Sequence, residues 1–237
     1  LLSCNSIFGS THTVNSKYLP KYGIDYSYVG ANATAAEWEA AITPQTKMIY
    51  LETPTNPGLD VLDISMISAI AKKHNVILNV DNCFATPIGQ TPMDLGADLV
   101  VHSATKWIDG QGRVLGGAVV GRKDLIHDIF LFCRSTGPSL SPFNAWVLSK
   151  SLETLEVRME RHGSNALYIA EKLEGHQKIN FVKYPFLNTH PHVAIAKKQM
   201  KNGGGIVCFE LKGGIEAGQT FLNALKMLSL TANLGDT

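Results

Sequence analysis

Two short apolar runs, each leading into a polar cluster, constrain the fold of this chain more than any other feature. The first run, residues 76–80, leads directly into Asp81, and the second, residues 97–101, leads into Ser103 and Lys106. Nearly continuous apolar runs of this length, interrupted here only by Asn79 and Asp98, are typical of strands that are buried on both faces of a parallel sheet. Because such sheets bind ligands at the carboxyl ends of their strands, the two clusters predict a binding site at that edge.

The residues of these clusters supply the chemistry that a pyridoxal phosphate site requires. Asp81 can keep a pyridine nitrogen protonated, the hydroxyls of Ser103 and Thr105 can bind a phosphate, and the Lys106 amine can form a Schiff base. Taken singly, the Asp is more often a helix cap and the Lys more often a solvated surface amine. Their order along the chain, followed by the glycine-rich stretch 109–117, favours the site.

Apolar runs of strand length alternate with helical patterns along the first part of the chain. The strand-like runs cover residues 23–29, 48–51, 76–80, 99–102 and 115–120. The helical patterns cover residues 34–42, which begin with a capping box, and residues 63–73. This alternation predicts an α/β domain in which a mostly parallel sheet forms the middle of three layers.

A different pattern in the last part of the chain predicts a second, smaller domain. The predicted elements are a helical stretch at 141–173, strands at 179–184 and 205–211, and a helix at 192–200. We place the boundary near Arg161. The major domain then covers residues 1–160, and the start of an α+β domain covers residues 161–237.

Charge and hydropathy exclude two classes of partner. The net charge is +1, from 21 basic and 20 acidic residues, so no long-range field attracts nucleic acid. No apolar stretch approaches the roughly 20 residues that a membrane span needs. We therefore expect neither a nucleic-acid partner nor a membrane partner.

The cysteines and the one close histidine pair predict no metal site. The cysteines are Cys4, Cys83, Cys133 and Cys208. They form no Cys-x-x-Cys pair, which is typical of reduced, mostly buried thiols in a cytoplasmic protein. His190 and His192 flank a proline and have no carboxylate or Cys at ligand spacing, which predicts a surface loop.

Both ends of the chain indicate a piece of a longer protein. Leu1 lies inside a strand-like apolar pair, and Thr237 directly follows an Asn-Leu-Gly-Asp turn. At 237 residues with 45% hydrophobic content, the chain is long enough to bury a large core. We expect one domain and part of another.

Six segments, spread nearly from end to end, resemble the pyridoxal-phosphate-dependent enzymes of cysteine and methionine metabolism. The segments are residues 52–57, 80–87, 103–106, 141–145, 152–159 and 233–236. This family includes cystathionine synthases and lyases, methionine γ-lyases and homoserine-ester sulfhydrylases. The resemblance implies pyridoxal 5'-phosphate as the cofactor. It also implies an aminotransferase-like fold of type I, with a three-layer αβα major domain and part of a smaller α+β C-terminal domain.

The resemblance also implies roles for the residues of the two polar clusters. Lys106 would carry the cofactor and, once displaced by the substrate amine, act as the general base that moves protons. Asp81 would pair with the ring nitrogen and make the ring an electron sink. Ser103 and Thr105 would donate hydrogen bonds to the phosphate.

Three residues outside these clusters complete the expected site. Asn56 would bind the ring hydroxyl, although an Asn before Pro is on its own a turn residue. Phe8 stands where relatives have an aromatic residue, often Tyr, that stacks on the ring. Phe keeps the stacking face and loses the hydroxyl. Asn233 would lie close to Lys106 and to the substrate carboxylate.

Two segments indicate which reaction of the family to expect. Residues 233–236 read Asn-Leu-Gly-Asp, where relatives with cystathionine or γ-elimination chemistry commonly have Ser-Leu-Gly-Gly, and residues 136–146 also resemble the sulfhydrylases. We therefore expect γ-replacement on O-acetyl- or O-succinylhomoserine by sulfide, giving homocysteine in methionine biosynthesis. The expected partners are the amino-acid substrate and sulfide, and the expected assembly is a cytoplasmic homo-oligomer, a dimer of dimers.

Other activities of the same family stay open as alternatives. They are a methionine or cystathionine γ-lyase, a cystathionine γ-synthase, or a non-catalytic piece of such an enzyme. In the family, a Tyr and an Arg from a segment that would precede Leu1 reach the neighbouring subunit's phosphate. An Arg that would follow Thr237 holds the substrate carboxylate. We expect residues 1–237 alone to bind the cofactor weakly and to turn over little.

Overall fold

One sheet of six strands organises the larger part of the molecule, whose computed structural model describes residues 1–236. Its strands are β1 (Leu2–Cys4), β2 (Ser27–Val29), β3 (Met48–Glu52), β4 (Ile77–Asp81), β5 (Leu99–Ser103) and β6 (Gly117–Gly121). They lie in the order β2-β1-β3-β4-β5-β6, and only β6 runs antiparallel to its neighbour. The mostly parallel sheet expected from the sequence is therefore confirmed.

The helices are distributed along the whole chain. They are α1 (Gly9–Thr13), α2 (Ala35–Ala40), α3 (Ile64–Lys73), α4 (Thr86–Gly89), α5 (Lys123–Thr136), α6 (Pro142–Leu152), α7 (Leu155–Leu173), α8 (Val193–Gln199) and α9 (Gly214–Ala224). Four shorter helical turns of other types cover Val14–Tyr18, Leu19–Tyr22, Pro92–Leu95 and Ala104–Ile108.

The main core lies between α2, α3 and one face of the sheet. Trp38 of α2 and the apolar side of α3 pack on strand residues that include Leu51 and Val80. Side chains at the helix ends explain where these helices begin. Thr34 and Glu37 form the predicted capping box of α2, and Asp63 accepts the Met66 N–H at the start of α3.

The helical stretch predicted at residues 141–173 consists of two helices. Ser141 caps α6, and the chain leaves helical geometry at Thr154 before α7 begins. The sequence analysis missed α5, which begins without a side-chain cap and has no buried residue. It therefore lacked the start signal of a side-chain cap, although its sequence is as amphipathic as that of α3.

Helix α7 connects the main part of the molecule to a second, two-stranded sheet. This sheet pairs β7 (Ile179–Lys183) with β8 (Cys208–Leu211) in antiparallel orientation. Met159 of α7 packs in a cluster with Trp107, whereas Ala166 and Ala170 pack against the second sheet. The predicted boundary at Arg161 thus falls within a continuous helix, and the division into two domains stays a prediction.

The histidine pair is more buried than the predicted surface loop. His190 is only 2% exposed, and its Nε2 lies 3.0 Å from the carbonyl oxygen of Leu59. The His192 ring accepts the Val61 N–H at 3.1 Å and contacts the Asn32 side chain at 2.7 Å. The surface-loop prediction is wrong for His190, because both rings serve to satisfy polar groups of a distant segment.

Two structural features are absent from residues 1–236. In that range no helix is both long and apolar enough to cross a bilayer. No group of three or more His, Cys, Asp and Glu side chains is arranged there to hold a metal ion. All cysteines are free, with Cys4 buried and the others half-buried.

Protonation of His102 is expected to destabilise the fold in acid. His102 is buried, its Nδ1 has no partner within the described residues, and burial lowers its pKa to about 4. The unfolded state gains the proton near pH 6.5, so the free energy of unfolding falls as the pH drops from there to about 4. This loss amounts to roughly 3 kcal/mol. Urea unfolding of the full-length apoprotein at several pH values measures it. Loss of the same size in a His102→Met variant would contradict the assignment to His102.

Candidate cofactor site

Four neighbouring strands deliver the predicted site residues to one edge of the main sheet. In the sheet, β1, β3, β4 and β5 are consecutive neighbours, and they run parallel. Phe8 follows β1, Asn56 follows β3, Asp81 ends β4, and Ser103 and Lys106 lie at and beyond the end of β5. The common direction of the strands therefore brings residues that are up to about a hundred positions apart in the sequence to the same edge.

The strand register places the polar side chains on one face. Tyr50 pairs with Asn79, Glu52 pairs with Asp81, and Asp81 also pairs with a β5 residue two positions before Ser103. Since side chains alternate between the faces of a strand, these polar residues share a face. The intervening residues point to the apolar core on the opposite face.

Asp81 is held in one orientation by two neutral donors. The Tyr50 hydroxyl donates to Oδ2 at 3.0 Å, and the Cys83 N–H donates to Oδ1 at 2.9 Å. Burial raises the pKa of Asp81, and these two hydrogen bonds act in the opposite direction. Each oxygen keeps a lone pair, so the carboxylate can still accept a ring N–H.

The two groups that donate to or lie beside the Asp81 carboxylate, Tyr50 and Cys83, stay uncharged at neutral pH. Burial, together with the Asp81 charge, raises the pKa of the Cys83 thiol to about 12. The same two causes raise the pKa of the Tyr50 hydroxyl. Cys83 is therefore a protonated thiol and not a nucleophile at neutral pH, and Tyr50 is a fixed hydrogen-bond donor.

Lys106 lies in a helical turn, Ala104–Ile108, that directly follows β5. The backbone of Lys106 departs from helical geometry, with φ −88° and ψ −121°. Its neighbours Trp107 and Ile108 are buried against α6 and α7, which anchors the turn. The Lys106 Nζ donates to the Asn233 Oδ1 at 2.6 Å.

Arg158 fixes the same turn from α7. Its guanidinium donates to the carbonyl oxygens of Trp107 at 2.6 Å, Ile108 at 3.3 Å and Ser151 at 2.9 Å. Sequence reasoning assigned no role to Arg158, because backbone carbonyls are not recognisable as partners in a sequence. Its segment, residues 152–159, was among those that carried the family resemblance.

The segment that contains Asn233 lies directly on the lysine turn. Leu234 packs against the cluster around Trp107. Gly235 has a φ of +95°, and a Cβ at this position would lie 2.7 Å from the carbonyl carbon of Lys106. Only glycine fits this close approach. The structure thus places Asn233 beside Lys106, while its contact with a substrate stays a prediction.

The two hydroxyls expected to bind the phosphate have different surroundings. Thr105 Oγ1 accepts the Gly116 N–H at 3.1 Å and donates to the Gly116 carbonyl at 3.3 Å. The Ser103 hydroxyl makes no hydrogen bond within residues 1–236. Ser103 is therefore the freer donor for a phosphate, and Thr105 also ties the turn to the glycine-rich stretch.

Phe8 and Asn56 are linked through a residue that the sequence analysis did not single out. Glu52 accepts the N–H of Phe8 at 2.8 Å and the N–H of Asn56 at 2.6 Å. Phe8 is 47% exposed at the sheet edge, so its ring can contact a ligand. The membership of Glu52 in the segment 52–57 was the only sequence signal for it.

The chemistry of this edge fits pyridoxal phosphate. It contains an amine on a rigid turn, a carboxylate held by neutral donors, a free hydroxyl and an exposed aromatic ring. The amine suits the cofactor aldehyde, and the carboxylate suits its ring nitrogen. The hydroxyl suits the phosphate, and the aromatic ring suits the face of the cofactor ring. Lys106, Asp81, Ser103 and Phe8 would supply these groups.

Comparisons with known proteins agree with this chemistry. The whole chain, residues 1–237, matches a family described as Cys/Met metabolism PLP-dependent enzyme. An O-succinylhomoserine sulfhydrylase of Pseudomonas aeruginosa is 46% identical over 100% of this chain and 59% of its own length. An L-methionine gamma-lyase of Fusobacterium nucleatum subsp. nucleatum is 44% identical over 98% of this chain and 59% of its own length. The chain thus spans about 59% of the length of these relatives.

The fold of this chain closely resembles the folds of two solved structures. The metB protein of Corynebacterium glutamicum superposes with a TM-score of 0.96 at 38% identity, over 99% of this chain and 61% of that one. A cystathionine gamma-lyase of Lactobacillus plantarum, complexed with L-serine, superposes with a TM-score of 0.95 at 37% identity, over the same shares. The aminotransferase-like α/β fold expected from the sequence is therefore confirmed, as is pyridoxal phosphate as the cofactor.

Proposed function

Because the chain belongs to the pyridoxal-phosphate-dependent enzymes of cysteine and methionine metabolism, we propose that the full-length protein is a homoserine-ester sulfhydrylase. It replaces the γ-acyloxy group of O-acetyl- or O-succinylhomoserine with sulfide and releases homocysteine and the carboxylic acid. The observation that supports this most is the 2.6 Å contact from the Lys106 amine to Asn233. Asn233 belongs to the segment 233–236, which resembles the corresponding segment of the sulfhydrylases. Through this contact, the segment lies beside the amine that would move protons.

The residues of the site divide the chemistry between them. Pyridoxal phosphate, when bound, supplies an electron sink for the electron pair that remains when the Cα proton leaves. The Lys106 amine would move protons one at a time: it would take the Cα proton, give that proton up, then take the Cβ proton, and later return protons to Cβ and Cα of the product. Asp81, oriented by Tyr50 and the Cys83 N–H, keeps the ring nitrogen protonated. At Cγ, the C–O bond breaks with its electron pair on the leaving carboxylate, and a C–S bond forms.

Asn233 is proposed to orient the amine and to bind the substrate. Its Oδ1 accepts one Lys106 N–H. This hydrogen bond orients the amine, so that in its neutral form the lone pair points away from Asn233 and is free to accept a proton. Its amide NH₂ group remains able to donate to the substrate carboxylate. A shorter Ser at this position, as in many γ-eliminating relatives, would reach the amine less well.

A methionine or cystathionine γ-lyase is the second candidate function. One L-methionine gamma-lyase is 44% identical over 98% of the chain, and a cystathionine gamma-lyase superposes with a TM-score of 0.95. The difference between 46% and 44% identity decides nothing on its own. Phe8 favours the sulfhydrylase, because it lacks the hydroxyl of the Tyr that relatives often have there.

The assembly and location of the protein are proposed on the same basis. We propose a homo-oligomer, a dimer of dimers, with residues of a neighbouring subunit completing the phosphate site. The substrates are the amino-acid ester and sulfide. The free cysteines fit a reducing compartment, which supports a cytoplasmic location.

Replacing Asn233 with serine is expected to shift the product of the full-length enzyme. With ester and sulfide, the wild type should form homocysteine at least about tenfold faster than 2-oxobutanoate, a difference of about 1.4 kcal/mol between the two barriers. The Asn233→Ser variant should raise the 2-oxobutanoate fraction. Both products can be quantified in one assay, with and without sulfide.

Asn188→Ser is the matched control, since Asn188 also accepts from a lysine amine, that of Lys197, on an exposed surface. The control should keep the wild-type product ratio. Cleavage of methionine by the wild type faster than ester replacement would overturn the sulfhydrylase proposal in favour of the γ-lyase.

A further inference from the structure

Glu52 is a buried carboxylate that joins two loops of the site. Glu52 is the last residue of β3 and is only 5% exposed. Its Oε2 accepts the backbone N–H of Phe8, in the loop after β1, at 2.8 Å. Its Oε1 accepts the backbone N–H of Asn56, in the loop after β3, at 2.6 Å. One side chain thus connects the loops that present two of the expected cofactor-binding residues.

The charge of Glu52 is balanced by no cation in the part of the chain that the structure describes. None of the ion pairs formed within residues 1–236 involves Glu52. Burial, and after it the nearby Asp81 charge, raise the pKa of the carboxyl to about 7. Hydrogen bonds to an ionised acceptor are roughly twice as strong as neutral ones, so the ionised form holds both loops most firmly.

Glu52 and Asp81 are register neighbours with different tasks. Both oxygens of Glu52 are directed at backbone N–H groups of the two loops. Asp81 instead receives one side-chain hydroxyl and the N–H of its own turn, at Cys83. Asp81 can therefore serve the ring nitrogen, whereas Glu52 is occupied in holding the loops.

We propose that Glu52 is a positioning residue, whose carboxylate clamps the Phe8 loop to the Asn56 loop and so sets the spacing of the residues that bind the cofactor ring. The inference rests on the proposed pyridoxal phosphate site and deepens it. Glu52 contacts neither substrate nor cofactor in this role. Loss of the clamp should therefore weaken cofactor binding through the placement of Phe8 and Asn56.

The test is cofactor affinity as a function of pH in the full-length apoprotein. Glu52→Gln keeps the size of the side chain, but its amide nitrogen cannot accept an N–H, so one of the two loop contacts is lost. Below about pH 6 the wild-type Glu52 is itself protonated, so the two proteins should bind pyridoxal phosphate with similar Kd. Above about pH 8 the Kd of the variant should be higher by on the order of tenfold.

Two further variants keep the result interpretable. Asp98→Asn is the matched control, because Asp98 also accepts a backbone N–H, that of Leu78 at 2.9 Å, at the opposite end of the sheet. It should keep the wild-type Kd at every pH. Glu52→Asp is the second test if Glu52→Gln does not fold. It keeps the charge, but its side chain is too short to bridge the loops, so it should bind the cofactor more weakly than the wild type.

If Glu52→Gln or Glu52→Asp binds pyridoxal phosphate with the wild-type Kd above about pH 8, the clamp proposal is wrong. An equal, pH-dependent loss in Asp98→Asn would overturn it as well, because the effect would then be general destabilisation. Failure of the sulfhydrylase proposal appears separately, in the products of the wild-type enzyme. Pyridoxal phosphate affinity measures the clamp without any turnover.

Discussion

Replacing Lys106 with alanine is expected to abolish turnover and covalent retention of the cofactor. Lys106 is the only lysine of the chain that follows a Ser-Ala-Thr sequence, and it lies on a turn fixed by Arg158 at the sheet edge. General acid–base catalysis alone contributes on the order of 10²–10⁴-fold, and the covalent link is lost in addition. We therefore expect kcat of the full-length enzyme with ester and sulfide to fall by on the order of 10⁴-fold or more. The decrease can be measured by homocysteine formation.

Lys73→Ala provides the control for the Lys106 prediction. Lys73 is exposed on α3 and pairs with Glu39 of α2, away from the sheet edge. Its loss should leave kcat within about twofold, since exposed ion pairs contribute little. If Lys106→Ala still retains a borohydride-reducible covalent cofactor, another lysine carries the cofactor and the assignment is wrong.

Replacing Asp81 with alanine is expected to lower turnover far more than cofactor occupancy. Lys106 and the phosphate contacts would still hold the cofactor, but the ring nitrogen would lose its anionic partner and the ring would become a poor electron sink. We expect kcat to fall by on the order of 10³-fold or more, while most of the protein still binds pyridoxal phosphate. Cofactor absorbance and kcat, measured on the same sample, give the two values.

Tyr50→Phe tests whether the orientation of Asp81 contributes. This variant removes the 3.0 Å hydrogen bond to Asp81 Oδ2 and keeps the carboxylate. Since a hydrogen bond to a charged group contributes about 1.5–3 kcal/mol, kcat should fall by roughly tenfold to a hundredfold. Equal losses of occupancy and turnover in Asp81→Ala would instead indicate that Asp81 serves folding.

The position of the site could be predicted from the sequence because parallel strands deliver their ends to one edge. Asp81 and Lys106 each follow an apolar strand-like run, and no structure is needed to place such residues together. The approach of Asn233 to Lys106, across 127 positions, has no such local signal. It could be expected only from the family resemblance.

The residues that support the site could not be predicted, since their partners are backbone groups far away in the sequence. Glu52 binds the N–H of Phe8, 44 positions earlier, and Arg158 binds the carbonyl of Trp107, 51 positions earlier. Such contacts leave no periodic pattern. For the same reason the burial of His190, which contacts Leu59 across 131 positions, was not foreseen.

Side-chain caps mark the starts of three of the predicted helices. The helices α2, α3 and α6 begin at Thr34, Asp63 and Ser141, each of which accepts a hydrogen bond from the first turn. Helix α5 follows Arg122 without such a bond, so it had no capping signal despite its amphipathic sequence. Capping is not the only signal, because α8 was predicted at residues 192–200 although His192 makes no such bond.

The assignment of Lys106 as the cofactor-bearing residue is tested most directly by chemical mapping of the wild-type, full-length protein. The holoenzyme is reduced with borohydride and digested, and the modified peptide is identified by mass spectrometry. We expect the cofactor on the peptide that contains Ser103, Thr105 and Lys106, with the modification at Lys106 itself. A modification at any other lysine, or a protein that retains no reducible cofactor, would contradict the site described here.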